Sequence, residues 1–510
     1  MSKRFSLLRA EMIQSKAWLL WMTLIALLYY PTFRIFPYWD DPDYVMWAAS
    51  YGGSMTQHGD SQLFRPIERY IINLSLHGPL PTYWLTKILA LVLLFLSTLL
   101  VAKLTKLALQ NEHKWLQLAI PTLYLLHPMH VITVLEMDIT SQNLGTFFSL
   151  ALVLVVCRLA VLDPGTLNKA AVFRTTAALF VVSLLGAFSK ETFLGMIAAA
   201  PFLMAIAAWR PGGASRMRLA FIASGAISAL TLAIYFTARR LAGFVLLSGP
   251  VQPRYRVHFG LNVLVNAGVA VGASLFPGST LKLFVHLNVF YVALAFSLVL
   301  AGLLLFWKRY RDFALAMASG QIFQSPQQRL LAIFLLAGAA TILPGGMING
   351  LISENQTDAT ISFVLLVVLL VPALISERDG KPTSAAVLGA SAVLVGMIAV
   401  MMGTAASEKV LAAHEMSRRA NAMGEEIMKH YKAHPVGHFF LCIPPESLQG
   451  RYSVFHISDG MLAAEQLYRI QMLHSAKPAN FIPGYSADLC SMQLLDERLS
   501  PATPTAAEAR

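Results

Sequence analysis

Three carboxylates lie within four positions early in the chain, at Asp40, Asp41 and Asp43, between aromatic residues. Adjacent carboxylates repel one another and partial burial disfavours their charged form, so such a cluster can hold a general base or a metal ion. A helix that begins at Pro42 could equally use Asp40 or Asp41 as its N-cap. The local sequence favours the cap, and the chemical interpretation depends on what else lies nearby.

Arginines follow the acidic cluster before the next apolar run. The segment from Phe64 to Tyr70 contains Arg65 and Arg69 beside Glu68. Arginine makes bidentate contacts with phosphate, which suits it to an anionic ligand. A surface salt bridge with Glu68 is an equally good interpretation of the same residues.

Two histidines, His127 and His130, flank a proline turn, and Glu136 and Asp138 follow them. Histidine and carboxylate groups are good metal ligands, so a divalent metal is conceivable here. The spacing matches no strong zinc pattern, however. An interfacial turn with ordinary hydrogen bonds is therefore the preferred interpretation.

Several cations lie in loops that the predicted topology places on the outer side of the membrane. Lys190 and Glu191 separate two apolar runs, and Arg239 and Arg240 close a later one. Basic residues ordinarily collect on the cytoplasmic side, so an external lysine calls for a reason, and a lipid phosphate is one. The alternative for Lys190 is a local ion pair with Glu191.

The composition indicates a membrane protein. The chain has 510 residues, of which 56% are hydrophobic and 13% charged, whereas soluble domains carry roughly 25% charged residues. Apolar runs of about 20 residues alternate with short polar turns, as in a polytopic helical membrane protein. The net charge of +12 comes with basic residues in short loops, which set orientation, so we do not expect nucleic acid as a partner.

The hydropathy pattern predicts about eleven transmembrane helices, and Lys3, Arg4 and Arg9 place the N-terminus in the cytoplasm. An external loop covers about residues 37–82. Leu261–Phe276 is expected not to cross, because Lys308, Arg309 and Arg311 after the next span belong inside. The predicted spans are Ala17–Phe36, Tyr83–Ala102, Trp115–Leu126, Val131–Cys157, Phe173–Phe188, Thr192–Trp209, Leu219–Thr237, Leu283–Trp307, Leu330–Ile348, Ala359–Ile375 and Ala385–Met402.

An odd number of spans places the remainder, residues 406–510, outside the membrane as a small soluble α/β domain with a disordered tail. Leu411–His430 has helical periodicity, and His438–Ile443 and Tyr452–Ile457 have the pattern of short strands. Cys442 and Cys490 could form a disulfide in an oxidising compartment, which the sequence alone does not settle.

Taken in order, these motifs resemble the GT-C superfamily of glycosyltransferases that use polyprenyl-phosphate sugars. The nearest likeness is to the O-mannosyltransferase-like proteins that carry tetratricopeptide repeats, over roughly the first 200 residues. No such repeats follow here, and Ile132 replaces the acid that the family has after the second histidine. The matching pieces are Asp40–Asp41, FRPI at Phe64–Ile67, LHPMHV at Leu126–Val131, NLGTFFSLAL at Asn143–Leu152 and FSKE at Phe188–Glu191.

The resemblance implies a GT-C-like transmembrane catalytic domain at residues 1–405, in a bacterial inner membrane with a periplasmic C-terminal domain. It implies transfer of a sugar from a polyprenyl phosphate to a lipid, glycan or protein, with inversion. Asp40 or Asp41 is then the candidate base. The candidates for the donor phosphate and its pocket are Arg65, His127, His130, Lys190, Glu191, Arg239 and Arg240. The alternatives are a transporter or flippase of a lipid-linked glycan, and an oligosaccharide polymerase or ligase.

Overall fold

A computed structural model describes most of the helical part of the chain. The described residues are 2–35, 64–77, 84–110, 113–136, 140–163, 167–210, 213–244, 260–275, 307–316, 319, 323, 325–347, 358–375, 385–433, 438–440 and 493–495. Asp40, Asp41, Asp138, Cys442 and Cys490 lie outside them, as do nearly all of the predicted span Leu283–Trp307 and the predicted strand Tyr452–Ile457.

The described residues are almost entirely helical, as predicted. The helices are α1 (Ser2–Tyr29), α2 (Pro66–His77), α3 (Trp84–Leu109), α4 (Lys114–Leu125), α5 (His130–Leu135), α6 (Thr140–Ala160), α7 (Lys169–Ala187), α8 (Leu194–Ala208), α9 (Ala214–Leu241), α10 (Leu261–Leu275), α11 (residues 307–316), α12 (Pro326–Gly346), α13 (Asp358–Ile375) and α14 (Ala385–Ala433). Two 3₁₀ helices, η1 (Tyr30–Arg34) and η2 (Glu191–Phe193), follow α1 and precede α8.

Seven helices in the described part of the chain are long and apolar enough to cross a membrane, and each overlaps a predicted span. Two shorter apolar helices are Leu261–Leu275 and Ala359–Leu374. The full count of eleven spans stays a prediction. The seven are Trp84–Leu109, Thr140–Ala160, Lys169–Ala187, Glu191–Ala208, Ala214–Leu241, Pro326–Gly346 and Ser391–Glu415.

Of the two predicted spans around the histidines, the second differs in the structure. Helix α4 agrees with the predicted Trp115–Leu126 within one residue at each end; its 12 residues extend about 18 Å at 1.5 Å per residue, well short of a bilayer core of about 30 Å. The predicted span Val131–Cys157 is instead divided, because α5 ends at Leu135 and α6 begins at Thr140. Helix α5 ends because Glu136 has an extended backbone conformation, with φ −88° and ψ 134°.

Helix α6 is the centre of the bundle and the most buried of the seven candidate spans. It packs against α3, α7, α8, α12 and α13. Its C-terminal end is held by two buried guanidinium groups, since Arg210 and Arg329 both donate to the carbonyl of Ala160, at 3.0 and 3.1 Å. Cations at a helix C-terminus satisfy free carbonyls and complement the helix dipole.

Prolines inside the helices free carbonyls that neighbouring helices then satisfy. Pro201 cannot donate to the carbonyl of Ile197, which instead accepts from the Ser228 hydroxyl at 2.8 Å. Pro372 leaves the carbonyl of Val368, four residues earlier, without its helical donor, and the Tyr310 hydroxyl donates to it at 2.8 Å. Such re-satisfaction is what permits proline within apolar helices.

The C-terminal part begins with a long helix. Helix α14 runs for 49 residues without a break, so it passes through the boundary that the sequence suggested at residues 405 and 406 and contains the predicted helix Leu411–His430. Strand β1 (His438–Phe440) lies within a predicted strand and pairs antiparallel with β2 (Gln493–Leu495), which the sequence pattern did not indicate. The division into two domains stays a prediction.

Candidate functional site

Arg65 lies at the centre of a buried polar cluster. Its carbonyl accepts from the N–H of Arg69 at 3.0 Å, so Arg65 is the N-cap of α2, with Pro66 in the first helical position where proline fits best. The residue is 8% exposed. Its Nε donates to Glu191 Oε2 at 2.8 Å, and its Nη1 donates to Ser141 Oγ at 3.2 Å.

Glu68 connects this arginine to the beginning of α6. Its carboxylate Oε1 accepts from the backbone N–H of Ser141 at 3.1 Å, and Oε2 lies 3.6 Å from Arg65 Nη1. Glu68 is fully buried. A carboxylate at a helix N-terminus satisfies a free N–H group and complements the helix dipole, so α2 supplies the cap of α6.

Lys190 contacts the Ser141 hydroxyl, as Arg65 does. Its Nζ donates to Ser141 Oγ at 3.4 Å. Two contacts hold the turn between α7 and η2 in place. The N–H of Ile67 donates to the carbonyl of Phe188 at 3.3 Å, and the ring of Phe193 lies where a Cβ on Gly186 would be. The turn therefore packs tightly against both α2 and α7.

Aromatic rings form one wall of the cluster. Phe64 contacts Phe188, Tyr235 and Phe244, with ring centroids between 5.3 and 5.9 Å apart. The Arg239 guanidinium lies over the ring of Phe244, 5.4 Å from its centroid. Cation–aromatic contacts of this kind hold a charged group in a partly desolvated place.

A further arginine belongs to the same group of charges. Tyr235 lies within electrostatic range of Arg65, Arg239 and Glu191, which places the arginine at the end of α9 beside the cluster. The cluster thus contains cationic side chains from α2, α9 and the turn before η2, together with the carboxylates of Glu68 and Glu191.

The two histidines connect different helices. His127 Nδ1 accepts from the N–H of Met129 at 3.3 Å, so the neutral ring carries its proton on Nε2 and donates to the carbonyl of Ser274, 3.2 Å away. Burial lowers the pKa of His127 well below its usual range; His130 and Lys409 lower it further, while the Ser274 carbonyl opposes them. His127 thus stays neutral and ties α10 to the turn before α5.

His130 packs beside its neighbour and against an aromatic ring. Its ring centroid is 4.6 Å from that of Tyr124 and 6.1 Å from that of His127. Within the described ranges there is no group of three or more histidine, cysteine or acidic side chains that could hold a metal ion.

The structure groups some of the predicted site residues and separates others. Arg65, Lys190, Glu191 and Arg239 come together, whereas the side chain of Arg240 is exposed. The alternative interpretation of Lys190 was a local ion pair with Glu191. In the structure, Glu191 forms an ion pair with Arg65, at 2.8 Å. Asp40 and Asp41 lie outside the described residues, and their role stays a prediction.

The sequence interpretation missed Ser141, which occupies the middle of the cluster. A signal was available, because Thr140–Asn143 is a run of four polar residues at the start of an apolar span, all at most 4% exposed. Lys87 was also missed. The residue is 1% exposed, and its ammonium group donates to the carbonyls of Ile35, at 2.6 Å, and Leu135, at 3.4 Å.

Comparison with known proteins yields little. No family model matches the chain, and no curated protein matches it. Among solved structures, the chain is similar to the "Crystal Structure of ArnT from Cupriavidus metallidurans bound to Undecaprenyl phosphate", with 12% sequence identity. The match covers 90% of this chain and 77% of that chain, with a TM-score of 0.42, which is too low to establish a shared fold.

Proposed function

We propose that this protein is a membrane glycosyltransferase of the GT-C type. It takes a sugar from a polyprenyl-phosphate donor and passes it, with inversion, to a lipid, glycan or protein on the extracytoplasmic face. The main support is the convergence of Arg65 and Lys190 on Ser141, at 3.2 and 3.4 Å. Both cations belong to the motifs on which the GT-C resemblance rests.

The chemistry of such a donor explains why a cationic cluster is useful. The leaving group is a lipid phosphate, so negative charge builds up on its oxygens as the sugar departs. Preorganised cations in a buried place stabilise that charge more than water would. Arg65 and Lys190 are the proposed phosphate ligands, and Arg239 adds positive charge from the end of α9.

The acceptor hydroxyl needs a base on the opposite face of the sugar. Asp40 or Asp41 is the proposed base, because the acid after the first span of the family corresponds to this pair. Direct displacement by the activated hydroxyl inverts the anomeric configuration. We assign His127 a structural role, because both of its ring nitrogens form hydrogen bonds with the backbone, at Ser274 and Met129.

The location of the reaction is also part of the proposal. The cytoplasmic N-terminus and the external cluster follow from the distribution of basic residues. A bacterial inner membrane with a periplasmic C-terminal region is the setting that the resemblance implies. The ArnT crystal structure has undecaprenyl phosphate bound, but at that TM-score the proposal does not rest on it.

The test uses purified full-length protein in lipid vesicles with a polyprenyl-phosphate sugar. Release of free polyprenyl phosphate upon addition of acceptor is expected for a transferase and would not occur with a transporter. Arg65→Met and Lys190→Met should each lower this release strongly. The matched controls, Arg174→Met and Lys169→Met, change exposed cations of α7 and should leave it unchanged. Full activity of both Asp40→Asn and Asp41→Asn would refute the proposed base.

A further inference from the structure

The Glu191 carboxylate has one oxygen that is bound and one that is not. Oε2 accepts from Arg65 Nε at 2.8 Å. Oε1 is shielded from solvent and forms no hydrogen bond within the part of the chain that the structure describes. A buried polar atom without a partner costs free energy, so a native protein seldom keeps one that nothing satisfies. Oε1 is therefore a place for a hydrogen-bond donor on a ligand.

A carboxylate oxygen restricts the chemistry of that ligand. An ionised carboxylate only accepts hydrogen bonds, and it repels another anion at close range. A phosphate oxygen is therefore a poor partner for Oε1, although Glu191 is bound to Arg65, a proposed phosphate ligand. A polyprenyl-phosphate sugar consists of an apolar chain, an anionic phosphate and a sugar. Of these three parts, only the sugar has hydrogen-bond donors, which are its hydroxyl groups.

The Arg65–Glu191 pair indicates which hydroxyl lies nearest. The Glu191 side chain is 23% exposed and that of Arg65 is 9% exposed, so the carboxylate is the more accessible member of the pair. A donor whose phosphate binds Arg65 has its sugar within reach of the adjoining carboxylate. The sugar hydroxyl closest to the phosphate is the 2-hydroxyl, on the carbon next to the anomeric carbon.

We propose that Glu191 Oε1 accepts a hydrogen bond from the 2-hydroxyl of the donor sugar, so that the protein selects a sugar with a free hydroxyl at this carbon. This inference rests on the proposed function and assigns Glu191 to the sugar rather than to the phosphate. The arginine of the pair binds the phosphate and the carboxylate binds the sugar. The pair thus spans the bond that breaks.

This hydrogen bond is stronger in the transition state than in the bound donor. The acceptor oxygen bonds to the anomeric carbon as the bond from that carbon to the phosphate oxygen breaks. The bonding electrons go to the phosphate, and the proton of the acceptor hydroxyl goes to the aspartate base. Positive charge develops at the anomeric carbon, which makes the neighbouring 2-hydroxyl a better donor. Loss of the Glu191 carboxylate therefore lowers kcat as well as donor affinity.

The test measures the affinity of purified full-length protein for short-chain polyprenyl phosphate and for its glucose, mannose and 2-deoxyglucose derivatives. Glucose and mannose differ only at the second carbon, so the two share one 2-deoxy counterpart. Wild-type protein should bind the glucose- or the mannose-linked lipid about 10- to 100-fold more tightly than the 2-deoxy lipid, as expected for one hydrogen bond to a charged group. This comparison changes the ligand alone and does not depend on the folding of a variant.

Glu191→Gln keeps the size of the side chain and an oxygen that accepts hydrogen bonds, but it removes the charge. The preference over the 2-deoxy lipid should fall to about 2- to 10-fold, as expected for a neutral hydrogen bond. Affinity for sugar-free polyprenyl phosphate should not fall, because the carboxylate does not bind the phosphate. A residue that only held Arg65 in place would lose affinity for this lipid too.

Glu68→Gln is the matched control. Glu68 also lies beside Arg65, with Oε2 3.6 Å from Nη1, but its Oε1 accepts from the Ser141 N–H. Any change of affinity in this variant should be equal for the 2-hydroxy and 2-deoxy lipids.

Three results would each overturn the inference and leave the transferase proposal standing. The wild type could bind the 2-deoxy lipid as tightly as both 2-hydroxy lipids. Glu191→Gln could keep the full wild-type preference, or it could lose affinity for sugar-free polyprenyl phosphate. If the wild type binds polyprenol as tightly as polyprenyl phosphate, the proposed function fails as well.

Discussion

Gly145 lies directly against Lys190, one turn of α6 beyond Ser141. A Cβ built on Gly145 would be 3.1 Å from the Lys190 Cβ and 3.4 Å from its Cγ. The missing side chain makes room for the lysine to reach the beginning of the helix. The glycine in the NLGTFF motif thus has a packing role that is tied to a candidate phosphate ligand.

Gly145→Ala is expected to lower transfer activity without unfolding the protein. The new methyl group pushes Lys190 away by a few tenths of an ångström, and we expect a loss of about 2- to 10-fold, below the ~100-fold that a 1 Å misplacement can cause. The glycine-to-alanine change itself favours the helix by up to about 1 kcal/mol. Activity per folded protein should be measured against Gly396→Ala, whose Cβ meets open space. Equal activities in the two variants would contradict this role.

Gly195→Ala is expected to destabilise the bundle. A Cβ at this position in α8 would overlap the carbonyl oxygen of Ala340 in α12. That carbonyl is four residues before Pro344, so it also lacks its helical N–H partner. Separating the two helices should cost roughly 1–3 kcal/mol, the usual range for overpacking.

The measurement for Gly195→Ala is the unfolding midpoint in detergent. Gly225→Ala is the comparison, because its Cβ would lie 3.9 Å from Pro201 in ordinary contact. A midpoint of Gly195→Ala at or above that of Gly225→Ala would show that the packing of α8 on α12 is looser than described.

Sequence patterns anticipated the helical architecture and part of the cluster, for identifiable reasons. Apolar runs predict spans well because a bilayer allows few alternatives. Lys190 stood out because a lysine in a loop predicted to be external runs against the positive-inside rule, and Arg65 stood out because arginine makes bidentate contacts with phosphate. Ser141 did not, because a serine at a helix start is ordinarily a cap, and its partners Arg65 and Lys190 are 76 and 49 residues away. Only the packing of the helices shows that Arg65 and Lys190 both contact Ser141.

Lys87→Met is expected to destabilise the protein. The ammonium group of Lys87 joins the end of η1 to the end of α5, through the carbonyls of Ile35 and Leu135. Methionine fills similar space but donates nothing, and each buried carbonyl left unsatisfied costs about 1–3 kcal/mol. The unfolding midpoint should fall relative to Lys103→Met, an exposed lysine on the same helix. Equal midpoints would mean that these carbonyls find other donors.

Arg65 and Glu191 are expected to be energetically coupled. Arg65→Met leaves a partly buried carboxylate without its 2.8 Å partner, and Glu191→Met leaves a buried guanidinium with less compensation. The double variant removes both charges, so it should be less destabilised than the sum of the single variants, with a coupling of roughly 1–3 kcal/mol. Stability should be measured for all four proteins of the cycle. Additive effects would show that the pair contributes no net stability.

The His127 imidazole is expected to make stability depend on pH. The residue lies in the turn between α4 and α5, and burial, with help from His130 and Lys409, lowers its pKa well below the unfolded value of about 6.5. The unfolded chain then binds more protons, so stability is fully present above about pH 6.5 and falls as the pH drops below it.

His127→Gln should therefore lose less stability than the wild type between pH 7 and pH 5, because glutamine can still donate to the Ser274 carbonyl and does not titrate. His414→Gln, which changes a half-buried histidine of α14, should keep the wild-type slope. The measurement is the unfolding midpoint across this pH range in detergent. If His127→Gln shows the wild-type slope, the neutral histidine does not link α10 to the turn in the way that its hydrogen bonds indicate.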